Sequence, residues 1–316
     1  MKKTDRPSSE NALQSGVEKP YGQQRLGAAL TVIAGVSWGF SGTCAQFLFQ
    51  NYRILTPVRL CAIRMTFGGI LLMILALLRY RENLRLLLTN KKDFLKLVLF
   101  ALAGITFNQL SYLEAINYMN SGTATVLQYI GPVLIMAVSC LMAMRLPNKK
   151  EVLALFLTVA GVFLIATHGN IHALYITRAG MIWGLSAAVA LVLYSMLPVG
   201  LIRKYGAVSV MAPGMLLGGI VMSVSTGLWS FHPAAGTRFY LFLAIIVVIG
   251  TVIPYTLYLV GIGLCGAVKA SMIASVEPVS ATVCMVVLLG EPVYGAELVG
   301  FACIITTIFL LAGKEE

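Results

Sequence analysis

Charge is what this chain has least of. Only 11% of its 316 residues are charged, 23 basic and 12 acidic, against about 25% in an average soluble domain. So few charges cannot cover a water-facing surface of this size, which excludes a soluble enzyme. The groups of metal and nucleophile chemistry are equally sparse. There are three histidines, His168, His172 and His232, and no H-E-x-x-H or Walker-type phosphate loop. An intramembrane zinc protease and an ATP-driven pump are therefore unsupported. The six cysteines (Cys44, Cys61, Cys140, Cys265, Cys284, Cys303) lie in or beside apolar runs with no C-x-x-C spacing. They read as small apolar packers, and no metal or cofactor is expected.

Apolar sequence is what remains, at 59% of the chain. It falls into ten runs near 27–49, 57–78, 94–115, 121–144, 151–168, 179–202, 208–230, 239–262, 267–289 and 294–313. Most approach the roughly 20 residues that cross a bilayer as a helix. The expected fold class is all-α integral membrane, with ten transmembrane helices and short connections that make neighbours antiparallel. Residues 1–26 are polar, lack an apolar core and read as a disordered cytoplasmic tail, not a signal peptide.

The net charge of +11 would suit a nucleic-acid partner, but its placement argues otherwise. With the N-terminus inside, sixteen basic residues fall on the inner side, including Arg79, Arg81, Arg85, Lys91, Lys92, Arg145, Lys149, Lys150, Arg203 and Lys204. Three fall outside: Arg53, Arg178 and Arg238. This bias orients the chain with both termini in the cytoplasm. The expected partners are the lipid bilayer and a small-molecule substrate, with protons as a candidate and no nucleic acid.

The chain also repeats itself. At an offset of 146, residues 94–166 match 240–312 without a gap, with 13 of 73 positions identical. Gly104 meets Gly250, Tyr112 meets Tyr258, Pro132 meets Pro278 and Glu151 meets Glu297. Earlier in each half, Gly68-Gly69-Ile70 resembles Gly218-Gly219-Ile220. Two five-span units, 27–168 and 178–313, then cross the membrane in opposite senses because five is odd. The loop charges agree: Arg145, Lys149 and Lys150 align with Glu291, Gly295 and Ala296. Inverted repeats of this kind are a design of secondary transporters, with substrate held near the midplane.

Together with this repeat, five features carry a family resemblance: Ser37-Trp38-Gly39, Pro57 followed by Arg64, Glu277-Pro278, Leu289-Gly290-Glu291 and Gly300. The chain resembles the drug/metabolite transporter superfamily, specifically its ten-span EamA-type branch, over residues 27–313. The resemblance implies a carrier of small metabolites, often outward, working by alternating access. It also implies a central cavity lined by spans one, three, four, six, eight and nine. Substrates across the superfamily are diverse, so it names none.

Several residues stand out on those spans. Trp38, Asn108, Gln109, Tyr112, Gln128, Tyr129, Trp183, Tyr194, Tyr255 and Tyr258 form a polar and aromatic set, suited to a small, partly apolar solute such as an amino acid or purine. Glu277 is a carboxylate placed about ten residues into span nine. It is either a structural organiser or a protonatable group that handles protons or substrate. Arg64 could meet an acid, an anionic substrate or the interface, and a structural partner is favoured over these. Pro132 and Pro278 sit at equivalent mid-span positions, and each frees the carbonyl four residues earlier, at Gln128 and Ala274. Pro254, aligned with Asn108, is expected to act similarly.

Gly35-Val36-Ser37-Trp38-Gly39 matches the G-x-S-x-G pattern of serine hydrolases. That elbow needs a strand-turn-helix setting and a His–acid pair, neither of which the surroundings supply. Gly35 and Gly39 read better as a small-residue face for close helix approach. The functional expectation is a secondary transporter that exports a small organic metabolite across the cytoplasmic membrane, as a monomer or homodimer and not as an enzyme. An uptake carrier or facilitator for an amino acid or nucleobase is the nearer alternative, and a membrane-embedded hydrolase the more distant one.

Overall fold

The chain is seen in a computed structural model, which describes residues 20–312 apart from 53, 120, 175, 232–235, 290 and 291. Among the described residues, ten helices are long and apolar enough to cross a membrane. They are span one (Tyr21–Phe49), two (Pro57–Arg79), three (Lys91–Tyr118), four (Thr123–Met142) and five (Lys149–Thr167). Then follow six (Arg178–Tyr205), seven (Ala207–Thr226), eight (Thr237–Cys265), nine (Ala267–Val287) and ten (Gly295–Ala312). The described residues contain no strand. Each span matches one apolar run. Span one starts earlier than its run because the helix continues through polar Gly22, Gln23, Gln24 and Arg25. The tail over residues 1–19, the Gly290-Glu291 pair, Arg53, His232 and Lys314 lie outside the described residues.

Local chemistry sets the span ends. Thr56 accepts a hydrogen bond from the Arg59 N–H just ahead of Pro57, and Thr177 accepts from Gly180. Asn148 and Glu151 form a capping box at the start of span five, which satisfies two amides that a helix start leaves open. One helix lies outside the ten apolar runs, Arg81–Thr89, between spans two and three. It buries Leu84 and Leu87 against the bundle and exposes Arg81 and Arg85.

Large apolar side chains face outward all around the bundle, among them Leu78, Phe156, Ile182 and Phe309. In water such a surface would drive association; in a bilayer it meets lipid. The interior is instead close-packed through glycine. A methyl group at Gly69 would come 2.7 Å from the Leu216 backbone nitrogen, and one at Gly219 equally close to that of Thr66. Spans two and seven therefore meet backbone to backbone. Gly161 and Gly300 join spans five and ten in the same way. Span one packs on eight and nine, and span six on three and four.

Four interior spans depart from regular helix. Span four is interrupted at Tyr129 and span nine at Ala274–Ser275, each just ahead of its proline. Spans three and eight instead contain π-helical turns, Phe100–Thr106 and Val248–Val252. In these the Thr106 and Thr251 hydroxyls donate to carbonyls five residues back, at Ala101 and Ile246. Such turns insert a residue into an α-helix and are frequent at functional sites.

Candidate functional site: an aromatic centre crossed by polar groups

The four irregular spans meet span one and span six near the middle of the bundle, and four aromatic rings converge there. Trp38 meets Tyr255 edge-on at 5.2 Å between ring centroids and Tyr258 at 5.4 Å. Tyr194 stacks on Tyr258 at 5.7 Å and meets Tyr255 at 5.8 Å, while Phe100 stacks on its other side. These geometries are the offset and edge-to-face contacts that aromatic quadrupoles favour. The three tyrosines are nearly wholly buried.

Polar atoms thread this cluster. Gln109 donates its side-chain amide to the Tyr255 hydroxyl, and Ser195 shares a hydrogen bond of 3.0 Å with Tyr258. Gln109 and Tyr255 occupy aligned positions, 146 residues apart. Five buried side-chain atoms of the described residues have no partner; the Trp38 indole nitrogen and the Tyr194 hydroxyl lie on these rings, the Asn108 oxygen is next to Gln109 in sequence, and the Thr158 and Ser209 hydroxyls are the other two. Each orphan costs about 1–3 kcal/mol relative to a paired group. Two of them on adjoining rings therefore mark a place where a solute or water would be favoured.

The residues around the helix breaks lie next to this centre. Tyr129 donates its hydroxyl to the Ala274 carbonyl at 3.3 Å, the group that Pro278 leaves without its α-helical partner. The Glu277 amide also reaches that carbonyl, at 3.0 Å. Tyr112 bonds Thr125 between spans three and four at 2.9 Å. Gln128 is half-buried beside Tyr129. Glu277 is half-buried and within Coulombic range of Arg64, Tyr112, Tyr129 and Tyr255. None of the ion pairs of the described residues, Arg145–Glu151, His168–Glu297 and Lys204–Asp93, involves it.

Arg64 makes its hydrogen bonds to span eight and lies within Coulombic range of Glu277 without pairing to it. Its Nε donates to the Thr251 hydroxyl and an Nη to the Gly250 carbonyl, both at 2.9 Å. Trp183 stands apart from the aromatic centre. It is only a few residues into span six and shares a cluster with Tyr112, Met119, Ala124 and Leu127. Sequence reasoning passed over Ser195, Thr251 and Ser41. Ser41 abuts Gly250 from span one, and all three are small hydroxyl residues that apolar patterning does not distinguish.

Gly35 and Gly39 pack directly on the broken part of span nine. A methyl at Gly35 would lie 3.0 Å from the Ala274 carbonyl, and one at Gly39 2.6 Å from the Ala281 nitrogen. Ser280 donates across the same contact to the Val36 carbonyl at 2.9 Å. The Ser37 hydroxyl bonds back to Ile33 of its own helix at 2.8 Å. The motif is thus a packing face, as the sequence suggested. The six cysteines are unpaired thiols, Cys44, Cys61 and Cys140 buried and the others half-buried.

Ten spans, interrupted interior helices and a buried polar-aromatic centre define a multi-pass membrane transporter. The chain belongs to the EamA-like transporter family, whose model matches residues 25–167 and again 178–313. Among its relatives is the uncharacterized inner membrane transporter YicL of Salmonella typhimurium (strain LT2), 33% identical over 291 residues, covering 92% of this chain and 96% of that one. The uncharacterized transporter YvbV of Bacillus subtilis (strain 168) is 26% identical over 92% of this chain and 91% of its own. A solved crystal structure shares the fold with a TM-score of 0.75, at 16% identity over 90% of this chain and 95% of that one.

Proposed function

We propose that this protein is a secondary carrier that moves a small, partly apolar organic metabolite outward across the cytoplasmic membrane by alternating access. The observation that carries this reading is the pair of unpartnered polar atoms on the Trp38 and Tyr194 rings, at an aromatic centre in mid-bundle. Most buried polar atoms are paired, so orphans on adjoining rings invite a solute or water. Aromatic walls with a few fixed donors and acceptors fit a flat or amphipathic solute such as an amino acid or nucleobase.

The two halves, 27–168 and 178–313, act in this reading as inverted copies that rock against each other. Its support is the way the helices pair: two with seven, five with ten, one with eight and six with three. Exchanging the halves leaves that scheme unchanged. The hydrogen bond between Gln109 and its aligned partner Tyr255 falls where the exchange axis would pass. The basic ends of the spans face the cytoplasm, placing both termini there. Glu277 is the candidate for proton coupling, because a half-buried carboxylate without an ion-pair partner can gain and lose a proton as the cavity changes sides. Comparing the metabolites retained by a deletion strain and released by an overexpressing strain, then measuring flux of the candidates in proteoliposomes, tests the reading. Flux lost in aromatic-centre variants supports it; no candidate carried by the purified protein refutes it.

A further inference from the structure

We propose that Arg64 is a positioning residue: it locks the π-helical turn of span eight, and the residue inserted in that turn aims Tyr255 and Tyr258 at Trp38. Pro254 creates the need for it. Having no N–H, it cannot bond the carbonyl four residues back, which is Gly250. The next bond along is already of π type, from the Ile253 N–H to the Val248 carbonyl. Gly250 therefore has no amide four residues on to meet its carbonyl, in a bundle interior where water is scarce. Arg64 fills the gap from span two, one nitrogen on that carbonyl and another on Thr251, both at 2.9 Å. The planar guanidinium suits two acceptors held side by side, as a lysine would not.

The matching turn in span three provides an internal control. There the position aligned with Pro254 is Asn108, which has its N–H. By the Gly68–Gly218 alignment, the position corresponding to Arg64 is Gly214. A methyl at Gly214 would lie 3.2 Å from Ile105 and 3.4 Å from Phe100, so span seven meets the span-three turn through plain packing. Arginine occurs on the side where proline has removed a bond and is absent where it has not.

The consequence reaches the aromatic centre by geometry. One residue inserted into an α-helix rotates everything beyond it by about 100°. Tyr255 and Tyr258 follow the turn immediately. In the present register their rings lie 5.2 Å and 5.4 Å from Trp38, and Tyr255 reaches Gln109. If the turn closed to regular α-helix, both rings would swing off that face. Ser41 also presses on Gly250 from span one, so the turn is held from two sides while the arginine supplies its hydrogen bonds.

The test reads Trp38 fluorescence in a protein carrying Trp183→Phe and Trp229→Phe, and needs no substrate. Arg64→Met should shift the Trp38 emission. In a Tyr255→Ala/Tyr258→Ala background the same substitution should add no further shift, because its effect passes through those rings. Adding Pro254→Ala to Arg64→Met restores an N–H to Gly250; thermal stability should recover while the shifted emission persists. Arg64→Lys, which keeps one donor, should give a smaller shift, and with the proline variant it carries the test if Arg64→Met aggregates. Emission that returns to the wild-type value together with stability would overturn the proposal, reducing Arg64 to a carbonyl cap. A full additional shift in the absence of both tyrosines would overturn it too. Either failure leaves the carrier reading standing, since that rests on flux.

Discussion

Gln109 of span three and Tyr255 of span eight are hydrogen-bonded to each other, and they are equivalent residues of the two halves. If the halves are inverted copies, as proposed, equivalent positions touch only near the axis that relates them, and this pair would lie on it. Substituting Gln109→Leu leaves the Tyr255 hydroxyl buried without its donor. The expected loss is about 1–3 kcal/mol of stability, together with a fall in transport. Tyr255→Phe in the same protein should then cost little more, because the orphan has gone. A double-mutant cycle on thermal unfolding in detergent checks this, and simple additivity would speak against the contact.

Glu277→Gln separates the two roles open to that residue. If the carboxylate carries the coupled proton, the variant folds normally and still exchanges solute across proteoliposomes. Accumulation driven by a pH gradient is lost, and so is the dependence of rate on pH. Gradient-driven uptake with an unaltered pH profile in the variant would exclude coupling through Glu277 and leave it a structural organiser of the span-nine break.

The close glycine contacts predict a graded response. Gly69→Ala and Gly219→Ala place a methyl 2.7 Å from facing backbone, which cannot move aside as a side chain can. Each should cost about 1–3 kcal/mol and loosen spans two and seven. Gly42→Ala has no atom within 4 Å to meet and should be neutral or slightly stabilising. Thermal stability of the three purified variants decides it; equal effects at all three positions would be contrary to the packing described.

At the end of span five, His168 holds the buried Glu297 carboxylate of span ten at 2.9 Å. Its own backbone is left-handed, with φ of 53°. His168→Ala removes the clamp and keeps the strain, whereas His168→Gly removes both. The glycine variant should be the more stable by up to about 1 kcal/mol, although both fall below wild type. The order of their unfolding temperatures measures it, and alanine proving the more stable would contradict the geometry.

Much of the architecture is legible in the sequence. Ten apolar runs became ten spans, Gly35 and Gly39 became a contact face, and Pro132 and Pro278 each follow a break in their helix. These features depend on local composition, which a sequence displays directly. The π-helical turns did not show, because an inserted residue changes hydrogen-bond register without changing hydropathy. Their trace was Gly104 aligned with Gly250, and Pro254 about four turns from any charge. The partner of Arg64 lies 187 residues away at Thr251, a distance at which spacing carries no information. Trp183 was grouped with the central aromatics by its span alone, but depth along the helix takes it to another cluster. The helix Arg81–Thr89 was hidden because it is short and its charged residues Arg81, Glu82 and Arg85 break up the apolar run.

The central claim is that solute passes through the aromatic centre, and proteoliposome counterflow tests it most directly. Vesicles holding wild-type protein should exchange labelled metabolite, chosen by the strain comparison, at a saturable rate. Trp38→Ala and Tyr258→Ala proteins, folded by the criterion of a single symmetric elution peak, should lose at least about tenfold of that rate, equivalent to 1.4 kcal/mol. Undiminished counterflow in both variants would contradict the account and place the pathway elsewhere in the bundle.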